Sequence, residues 1–434
     1  MYCAIDFGTS NSAIAIPDGG GMRLVELEPG HRTMPTAVFY FAEGRDLDGP
    51  PRAFGRAAQA AYVDGADGRL MRSMKSILGS SLVEQTTDVG GGQGVKYLDI
   101  IAGYLRHLKA LAEREAGQRI RRAMLGRPVF FVDDDPARDA QAQAMLEVAA
   151  RSVGFEDVHF QYEPLAAAFD FESGVTSEQL VLVADIGGGT SDFSLVRVGP
   201  ERARHLDRRA DILANHGVHV AGTDFDRRIE LASILREFGY GALGPSVNGA
   251  PPKEVPSAVY FDLATWHLIN TVYNPQRAAE LRNMRSFYGN PAHHKRLMTV
   301  VSERLGHELA ALAEDAKIAV AQGGDTAIDL GVIEHRLTVA LTERQAVDAL
   351  EADIGRIVDA ARETIAQAGL QPADVDALYF TGGSTGLRLL ADRIAGVFPS
   401  AQTVRGDRFA SVATGLGLHA MRWFNGAADA GSAA

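Results

Sequence analysis

The chain has 434 residues, about three domains by length and enough to bury a large core. Its composition of 46% apolar and 23% charged residues is that of an ordinary soluble globular protein, and no apolar run approaches the ~20 residues of a membrane span. The net charge of −12 argues against non-specific binding to nucleic acid or to anionic membranes. The single cysteine, Cys3, excludes an intrachain disulfide and predicts a reducing, cytoplasmic setting.

The chain opens with an apolar run that ends in an aspartate, Asp6. Residues 4–6 predict a buried strand, and residues 13–16 predict a second strand that returns beside it. The turn between these strands carries one glycine and several polar side chains, namely Gly8, Thr9, Ser10 and Asn11.

The next stretch alternates strands and helices. A strand is predicted at 37–41 and helices at 55–63, 98–116 and 137–153, and the apolar run 129–132 predicts another buried strand. Lys75 lies among apolar residues, and this spacing alone favours a surface lysine whose aliphatic stem packs on its neighbours.

A short strand at 159–162 leads to Glu163 and Pro164, which open an Ala-rich helix. The Glu163 carboxylate therefore lies at the boundary between two elements, where active-site residues often occur. The alternative is that it only complements the helix dipole, an effect worth about 0.3–1 kcal/mol.

A second hairpin at 180–198 repeats the pattern of the first. Its strand ends at Asp185, and its turn carries three glycines, Thr190 and a second carboxylate, Asp192. Consecutive glycines let backbone N–H groups approach an anion closely, so the turn suits a phosphate with a divalent metal beside it. The alternative is a tight turn with solvated acidic ends. Because the motif occurs twice, we interpret it as a duplicated unit that closes on one ligand from two sides.

A helix is predicted to begin near 223, a Gly- and Pro-rich loop follows at 239–257, and helices are predicted across 265–318 with breaks at 274–275 and 290–291. Strands near 326–333 and 336–341 precede a helix to about 369 that begins with a capping box at Thr342. A third turn after a strand, at 381–386, again places glycines at the start of a helix, and a small-residue helix begins near 410.

These motifs resemble the nucleotide-binding half of the heat-shock protein 70 (DnaK-type) family, within the actin and sugar-kinase ATPase superfamily. Residues 6–11 and 185–192 resemble the family's two phosphate loops, and residues 163–168 and 411–415 resemble its two connecting segments. Residues 381–385 resemble its adenosine loop. Lys75 to Gly79 is similar to the segment that holds the family's catalytic lysine. The stretch 263–267 is similar to the smaller YegD-like subgroup, so no substrate-binding domain is expected.

The resemblance implies an α/β, actin-like ATPase fold with two lobes, each a ribonuclease-H-like mixed sheet flanked by helices, and four subdomains. Lobe I is expected at 1–174, with 36–97 as its smaller subdomain and 405–425 returning to it. Lobe II is expected at 175–404, with 223–325 as its smaller subdomain, and 426–434 as a disordered tail.

The resemblance also implies ATP or ADP with Mg²⁺ as the bound cofactors. Asp6, Asp185, Asp192 and Glu163 would hold Mg²⁺, mainly through its water ligands. The catalytic residues would be Lys75, Glu163, Asp185 and Thr190, which reverses the surface interpretation of Lys75. The nucleotide would contact Gly8, Thr9, Ser10, Asn11, Gly187, Gly188, Gly189, Thr190, Gly222, Glu314, Lys317, Gly382, Gly383, Ser384 and Asp407.

Three positions depart from the chaperone pattern around adenine. Ile318 and Gly386 stand where the family places arginines, and Ala321 stands where it places a serine. Each lost guanidinium plane removes stacking of about 0.5–2 kcal/mol, so we expect weaker ATP binding.

The leading functional hypothesis is a monomeric, chaperone-like MgATPase whose lobe closure regulates a protein partner or client. Two alternatives are an actin-like, ATP-dependent filament former and a nucleotide sensor with negligible turnover. A small-molecule kinase is disfavoured, because Lys75 and the Glu163-Pro164 pair follow the chaperone pattern.

Overall fold

The computed structural model of the protein describes residues 1–44, 51–78, 80, 83, 85–89, 94–132, 135–246, 251–406 and 410–431. Its strands are β1 (Tyr2–Phe7), β2 (Asn11–Asp18), β3 (Gly21–Leu24), β4 (Thr33–Pro35), β5 (Ala37–Phe41), β6 (Arg52–Phe54), β7 (Gly68–Arg72), β8 (Thr86–Asp88), β9 (Gly94–Lys96), β10 (Arg122–Arg127), β11 (Asp157–Tyr162), β12 (Gln179–Ile186), β13 (Ser191–Val198), β14 (Ile212–Val218), β15 (Thr326–Asp329), β16 (Thr338–Leu341), β17 (Ala377–Thr381) and β18 (Gln402–Arg405).

Its α-helices are α1 (Gly55–Val63), α2 (Tyr97–Ala116), α3 (Pro136–Ser152), α4 (Glu163–Glu172), α5 (Gly222–Ala232), α6 (Ala258–Leu263), α7 (Ile269–Val272), α8 (Pro275–Asn283), α9 (Pro291–Glu303), α10 (Gly306–Ala321), α11 (Glu343–Gln367), α12 (Arg388–Ala395) and α13 (Ser411–Gly431). Short 3₁₀ helices span Met74–Ile77, Arg202–Arg204, Arg209–Asp211, Ile234–Phe238, Met284–Phe287, Pro372–Asp374 and Gly383–Gly386.

Two mixed sheets share one strand order. The first sheet runs β11-β10-β1-β2-β3, with β4 also beside β2, and the second runs β14-β13-β12-β17-β18. In the first sheet, β1, β2 and β3 are antiparallel neighbours, and β10 and then β11 are added in parallel on the other side of β1. In the second sheet, β12, β13 and β14 are antiparallel neighbours, and β17 and then β18 are added in parallel on the other side of β12. The duplication predicted from the two hairpins is therefore confirmed in both strand order and direction, and so is the mixed α/β fold.

The central strands are buried on both faces, so alternate residues enter different cores. In β1, Ile5 and Phe7 pack with α2 and α3, whereas Tyr2 and Ala4 enter a core between the sheets. In β12, Leu182 and Ala184 pack with α5 and α11, and the intervening residues enter the same intersheet core.

Helices α4 and α13 fill the space between the two sheets. Both contribute to the core that also contains residues of β1, β10, β12 and β17. They pack so closely that a Cβ at Gly415 would overlap the carbonyl of Ala166. The chain thus leaves the first sheet through α4 and returns to the intersheet core through α13.

Smaller elements lie outside these layers. Strands β6-β5-β7 form a three-stranded sheet that packs on α1, and β8-β9 and β15-β16 form two-stranded ladders. Helix α11 begins at the predicted capping box, in which the Gln345 N–H donates to Thr342 Oγ1 over 3.2 Å. No helix in the described residues is long and apolar enough to cross a membrane.

The strand predicted at 129–132 is wrong. The strand is β10, which ends at Arg127, and Phe130 is 49% exposed. Pro128 has no N–H for the ladder, so the buried strand ends before the more apolar run begins. At the carboxyl end, the helical backbone of α13 continues to Gly431.

Candidate active site

The two duplicated hairpins bring aspartates to the ends of β1 and β12. Because side chains alternate along a strand, Asp6 lies on the same face of β1 as Tyr2 and Ala4, which pack between the sheets. Asp185 likewise shares a face of β12 with the intersheet residues, and Asp192 is its cross-strand partner in β13. The three carboxylates therefore lie on the sheet faces that border the intersheet core.

Burial makes these carboxylates hard to ionise. The pKa of Asp185 rises to about 7, first because of burial and then because of the negative charges of Asp192 and Glu163. The pKa of Asp6 rises to about 8, again through burial first and then through Glu163, while Lys75 opposes the rise. Burial also raises the pKa of Asp192. The site therefore holds more negative charge than its own lysine offsets.

The chemistry of this donor set fits a divalent cation. An added positive charge would favour the ionised form of Asp6, Asp185 and Asp192. No three carboxylate, histidine or cysteine side chains among the described residues are placed to ligate a metal directly. Mg²⁺ is commonly held in proteins by one or two carboxylates while it keeps several of its water ligands.

Lys75 is buried, with 8% of its surface exposed, and its ammonium group forms an ion pair with Glu163. It sits in the 3₁₀ helix Met74–Ile77, which follows Ser73 in a left-handed conformation with φ of 54°. Such a conformation is uncommon outside glycine and is often found at functional sites. The interpretation of Lys75 as a surface lysine is wrong.

Glu163 is the first residue of α4, and its carboxylate forms the ion pair with Lys75. On another side it lies against β10, since a Cβ at Gly126 would come within 3.1 Å of the Glu163 Cγ and Oε1 atoms. Nothing in the local sequence around Gly126 indicated this contact, because it joins residues far apart in the chain.

The turn of the second hairpin is fixed by hydrogen bonds to its carbonyl groups. The Gly187 N–H donates to the Thr190 carbonyl over 3.0 Å, which closes the turn through Gly189. The Gly188 carbonyl accepts from the Thr223 N–H and hydroxyl, each at 2.8 Å. The Gly187 carbonyl accepts from Ser384 Oγ at 2.7 Å and from the Gly222 N–H at 3.3 Å.

The turn of the first hairpin is held by Thr36. The Thr36 hydroxyl donates to the Gly8 carbonyl over 2.8 Å, and its N–H donates to the Ser10 carbonyl over 2.9 Å. Thr9 lies within this turn, and Asn11 begins β2. Sequence reasoning did not identify Thr36, because its role depends on β4 lying beside β2.

The two turns meet. A Cβ at Gly188 would lie 3.2 Å from Ser10 Oγ, so the second turn is within contact distance of the first. The third turn joins the second sheet at the same end, since Thr381 pairs with Asp185 in the parallel ladder. Gly382, with φ of 86°, packs against Asp185 and the Ile186 carbonyl, and Gly383 begins the next 3₁₀ helix.

Two residues that are expected to contact adenosine lie outside the three turns. Glu314 and Lys317 lie on α10, and Lys317 Nζ pairs with Asp226 Oδ1 of α5 at 2.6 Å. Burial raises the pKa of Asp226 to about 6, against the effect of Lys317. Ile318 is 45% exposed beside Lys317. Asp407 lies outside the described residues.

Comparison with known proteins identifies the family. The family model described as Hsp70 protein matches residues 2–240, which include both hairpins, Lys75 and Glu163. The chain belongs to the Hsp70 family. This confirms the family predicted from the motifs.

Individual Hsp70 relatives are distant in sequence. The chain is 24% identical over 404 residues to the chaperone protein DnaK of Stenotrophomonas maltophilia (strain R551-3), covering 88% of this chain and 53% of that protein. It is 25% identical over 417 residues to DnaK of Buchnera aphidicola subsp. Schizaphis graminum (strain Sg), covering 91% and 55%. The chain thus spans about half the length of the curated relatives it matches.

Proposed function

We propose that this Hsp70-family chain is a chaperone-like MgATPase whose lobes close on the nucleotide and so regulate a protein partner. The observation that carries the proposal is the meeting of four carboxylates with one buried lysine between two duplicated hairpins. Membership of the family and similarity to chaperones named DnaK support the same function.

The two hairpin turns would bind the β- and γ-phosphates from opposite sides. The contact between Ser10 and Gly188 supports this, because both turns can reach one ligand. Gly222, Gly382, Gly383 and Ser384 would approach the ribose, with Glu314, Lys317 and Asp407 on the adenosine side. Backbone N–H groups in such turns bind phosphate without adding a full positive charge.

Asp6, Asp185, Asp192 and Glu163 would hold Mg²⁺ through water. When bound, Mg²⁺ offsets negative charge on the phosphate oxygens and lowers the cost of phosphoryl transfer. The raised pKa values of Asp6 and Asp185 support this role, because a nearby cation would favour the ionised form of these buried carboxylates.

Hydrolysis would proceed by attack of water on the γ-phosphorus and cleavage of its bond to the leaving oxygen of ADP. The Lys75 ammonium would place the water and offset charge on the transferring group, and Glu163 would hold Lys75 in position. Thr190 would support the water or the γ-phosphate from the second hairpin. Positioning of this kind is most of the catalysis in phosphoryl transfer.

Lobe closure would occur about the paired helices α4 and α13. We assign lobe I to 1–174 and lobe II to 175–404, because the first sheet lies within 1–174 and the second lies within 175–404 except for Arg405, the last residue of β18. The close approach of Gly415 to Ala166 supports a pivot at this helix pair.

The proposal is tested by measuring phosphate release from ATP by the purified chain, with Mg²⁺ and with EDTA. We expect slow, Mg²⁺-dependent hydrolysis, ATP binding weaker than nanomolar, and a monomer in sedimentation with ATP. Failure to bind ADP or ATP in calorimetry contradicts the proposal. ATP-dependent pelleting of the protein would instead indicate a filament former, and binding without turnover would indicate a nucleotide sensor.

A further inference from the structure

A cavity of about 590 Å³ lies near the first sheet. The cavity and the candidate active site are on opposite faces of that sheet. It is lined by Tyr40, Arg52, Thr86, Gly94, Val95, Lys96, Asp99, Ala102, Arg106 and Ser152. Helix α2, which forms one wall, packs on the face of β1 that bears Ile5 and Phe7, whereas Asp6 lies on the opposite face. The candidate active-site residues do not line it.

The geometry of the walls places three cations around this cavity. Asp99, Ala102 and Arg106 are spaced by three and four residues, so they form one stripe of α2. The opposite face of α2 is buried in the core. Lys96 is paired with Thr86 across the β8-β9 ladder, which sets a cation beside a hydroxyl group at the rim.

The charge of the cavity opposes that of the whole chain. Its lining holds two arginines and one lysine against one carboxylate, in a protein of net charge −12. Within the described part of the chain, none of the three cations forms an ion pair. Tyr40, which is 2% exposed, pairs with Arg52 across the β5-β6 ladder, which places these two lining residues side by side.

We propose that this cavity binds a small phosphorylated metabolite. Arginine guanidinium groups match the geometry of phosphate oxygens, and the lysine adds a further charge-assisted donor. The hydroxyl groups of Tyr40, Thr86 and Ser152 supply neutral hydrogen-bonding partners. The volume lies within the range of small-molecule sites and exceeds what a phosphate ion alone would fill.

The experiment is calorimetric titration of the full chain with ribose 5-phosphate, with inorganic phosphate and with uncharged ribose. We expect both phosphates to bind, the sugar phosphate more tightly, and ribose not to bind. Arg106→Gln and Lys96→Gln should each weaken binding of ribose 5-phosphate about tenfold, since each removes a hydrogen bond between charged groups. Asp99→Asn should tighten binding, because it removes the one carboxylate of the lining.

Arg114→Gln is the matched control, because Arg114 is an exposed arginine of the same helix that does not line the cavity. Hydrogen exchange locates the site independently of affinity and of any ATPase activity. Added ribose 5-phosphate should protect peptides from 94–106 and leave those from 8–11 and 187–190 unchanged. The proposal is overturned by protection at the hairpin turns alone, by equal affinity in all four variants, or by no binding of either phosphate at millimolar concentration.

Discussion

The first and second sheets have the same strand order but contribute different chemistry to the space between them. In the first hairpin, Asp6 pairs across the ladder with Ala13, so its turn region carries one carboxylate. In the second hairpin, Asp185 pairs with Asp192, which places two carboxylates on adjacent strands. The second sheet is therefore the more acidic side of the site.

The first sheet instead gains a cation. The segment between its β4 and α2 carries Lys75, which is buried against Glu163 at the start of α4. The turns differ in the same sense, since the first has one glycine and is held by the Thr36 hydroxyl, whereas the second has three glycines. The first side thus contributes a buried ammonium group to the proposed site, and the second contributes paired carboxylates and a glycine-rich turn.

The largest effect should come from removing the cation of the first side. Lys75→Ala should lower the rate of ATP hydrolysis by about 10³-fold, the scale on which a cation acts on a transferring phosphoryl group. Nucleotide affinity should change little, because the turns and the carboxylates remain. Single-turnover hydrolysis and calorimetry with ADP separate the two effects. Lys295→Ala, an exposed lysine of α9, is the control, and an unchanged rate in Lys75→Ala would exclude the catalytic role.

A change in the second side should weaken nucleotide binding that depends on Mg²⁺. Asp185→Asn should weaken Mg²⁺-dependent ADP binding about tenfold, because it removes a charged acceptor for the ion's water shell. Binding measured in EDTA should change much less. Asp392→Asn, whose carboxylate is 63% exposed on α12, serves as the control. Equal losses with and without Mg²⁺ would contradict the assignment of Asp185 to the metal.

The packing of α13 against α4, between the two sheets, should be sensitive to a single methyl group. Gly415→Ala places a Cβ into the carbonyl of Ala166 and should lower the free energy of unfolding by about 1–3 kcal/mol. Gly103→Ala in α2 is the matched change, because a Cβ there meets nothing within 4 Å and should stabilise by up to about 1 kcal/mol. Urea unfolding of both variants measures the difference, and equal effects would refute close packing at Gly415.

Local features of the site could be predicted from sequence because they depend on neighbouring residues. An apolar run that ends in an aspartate and is followed by glycine predicts a strand and a sharp turn, and β1 and β12 end in this way, whereas β17 ends at Thr381 before two glycines. The bounds of β5 and α1 match their predictions residue for residue, because a run of five apolar residues and an Ala-rich stretch are both local signals.

Features that depend on distant residues could not be predicted from local pattern. The ion pair of Lys75 joins residues 88 positions apart, so spacing alone gave the wrong interpretation. Strand β10 was missed because its apolar residues are flanked by arginines and interrupted by Gly126, which is required by the side chains of Glu163 and Leu416. The resemblance to a family implied a catalytic role for Lys75, because a family motif carries information about distant contacts.

A pH dependence of stability should originate on both sides of the site. The pKa values of Asp6 and Asp185, about 8 and about 7, lie above the 3.8 of an unperturbed aspartate, mainly through burial. Between pH 4 and 8 the folded chain therefore binds more protons than the unfolded chain, and without metal its free energy of unfolding should fall as pH rises. Asp6→Asn should flatten this slope by up to about 1.4 kcal/mol per pH unit. Asp185→Asn should do the same and also lower the pKa of Asp6, whose negative neighbour it removes, whereas Asp348→Asn, an exposed change, should leave the slope intact. Urea unfolding in EDTA at several pH values measures the slopes, and identical slopes in all four proteins would show that these buried carboxylates do not couple to folding.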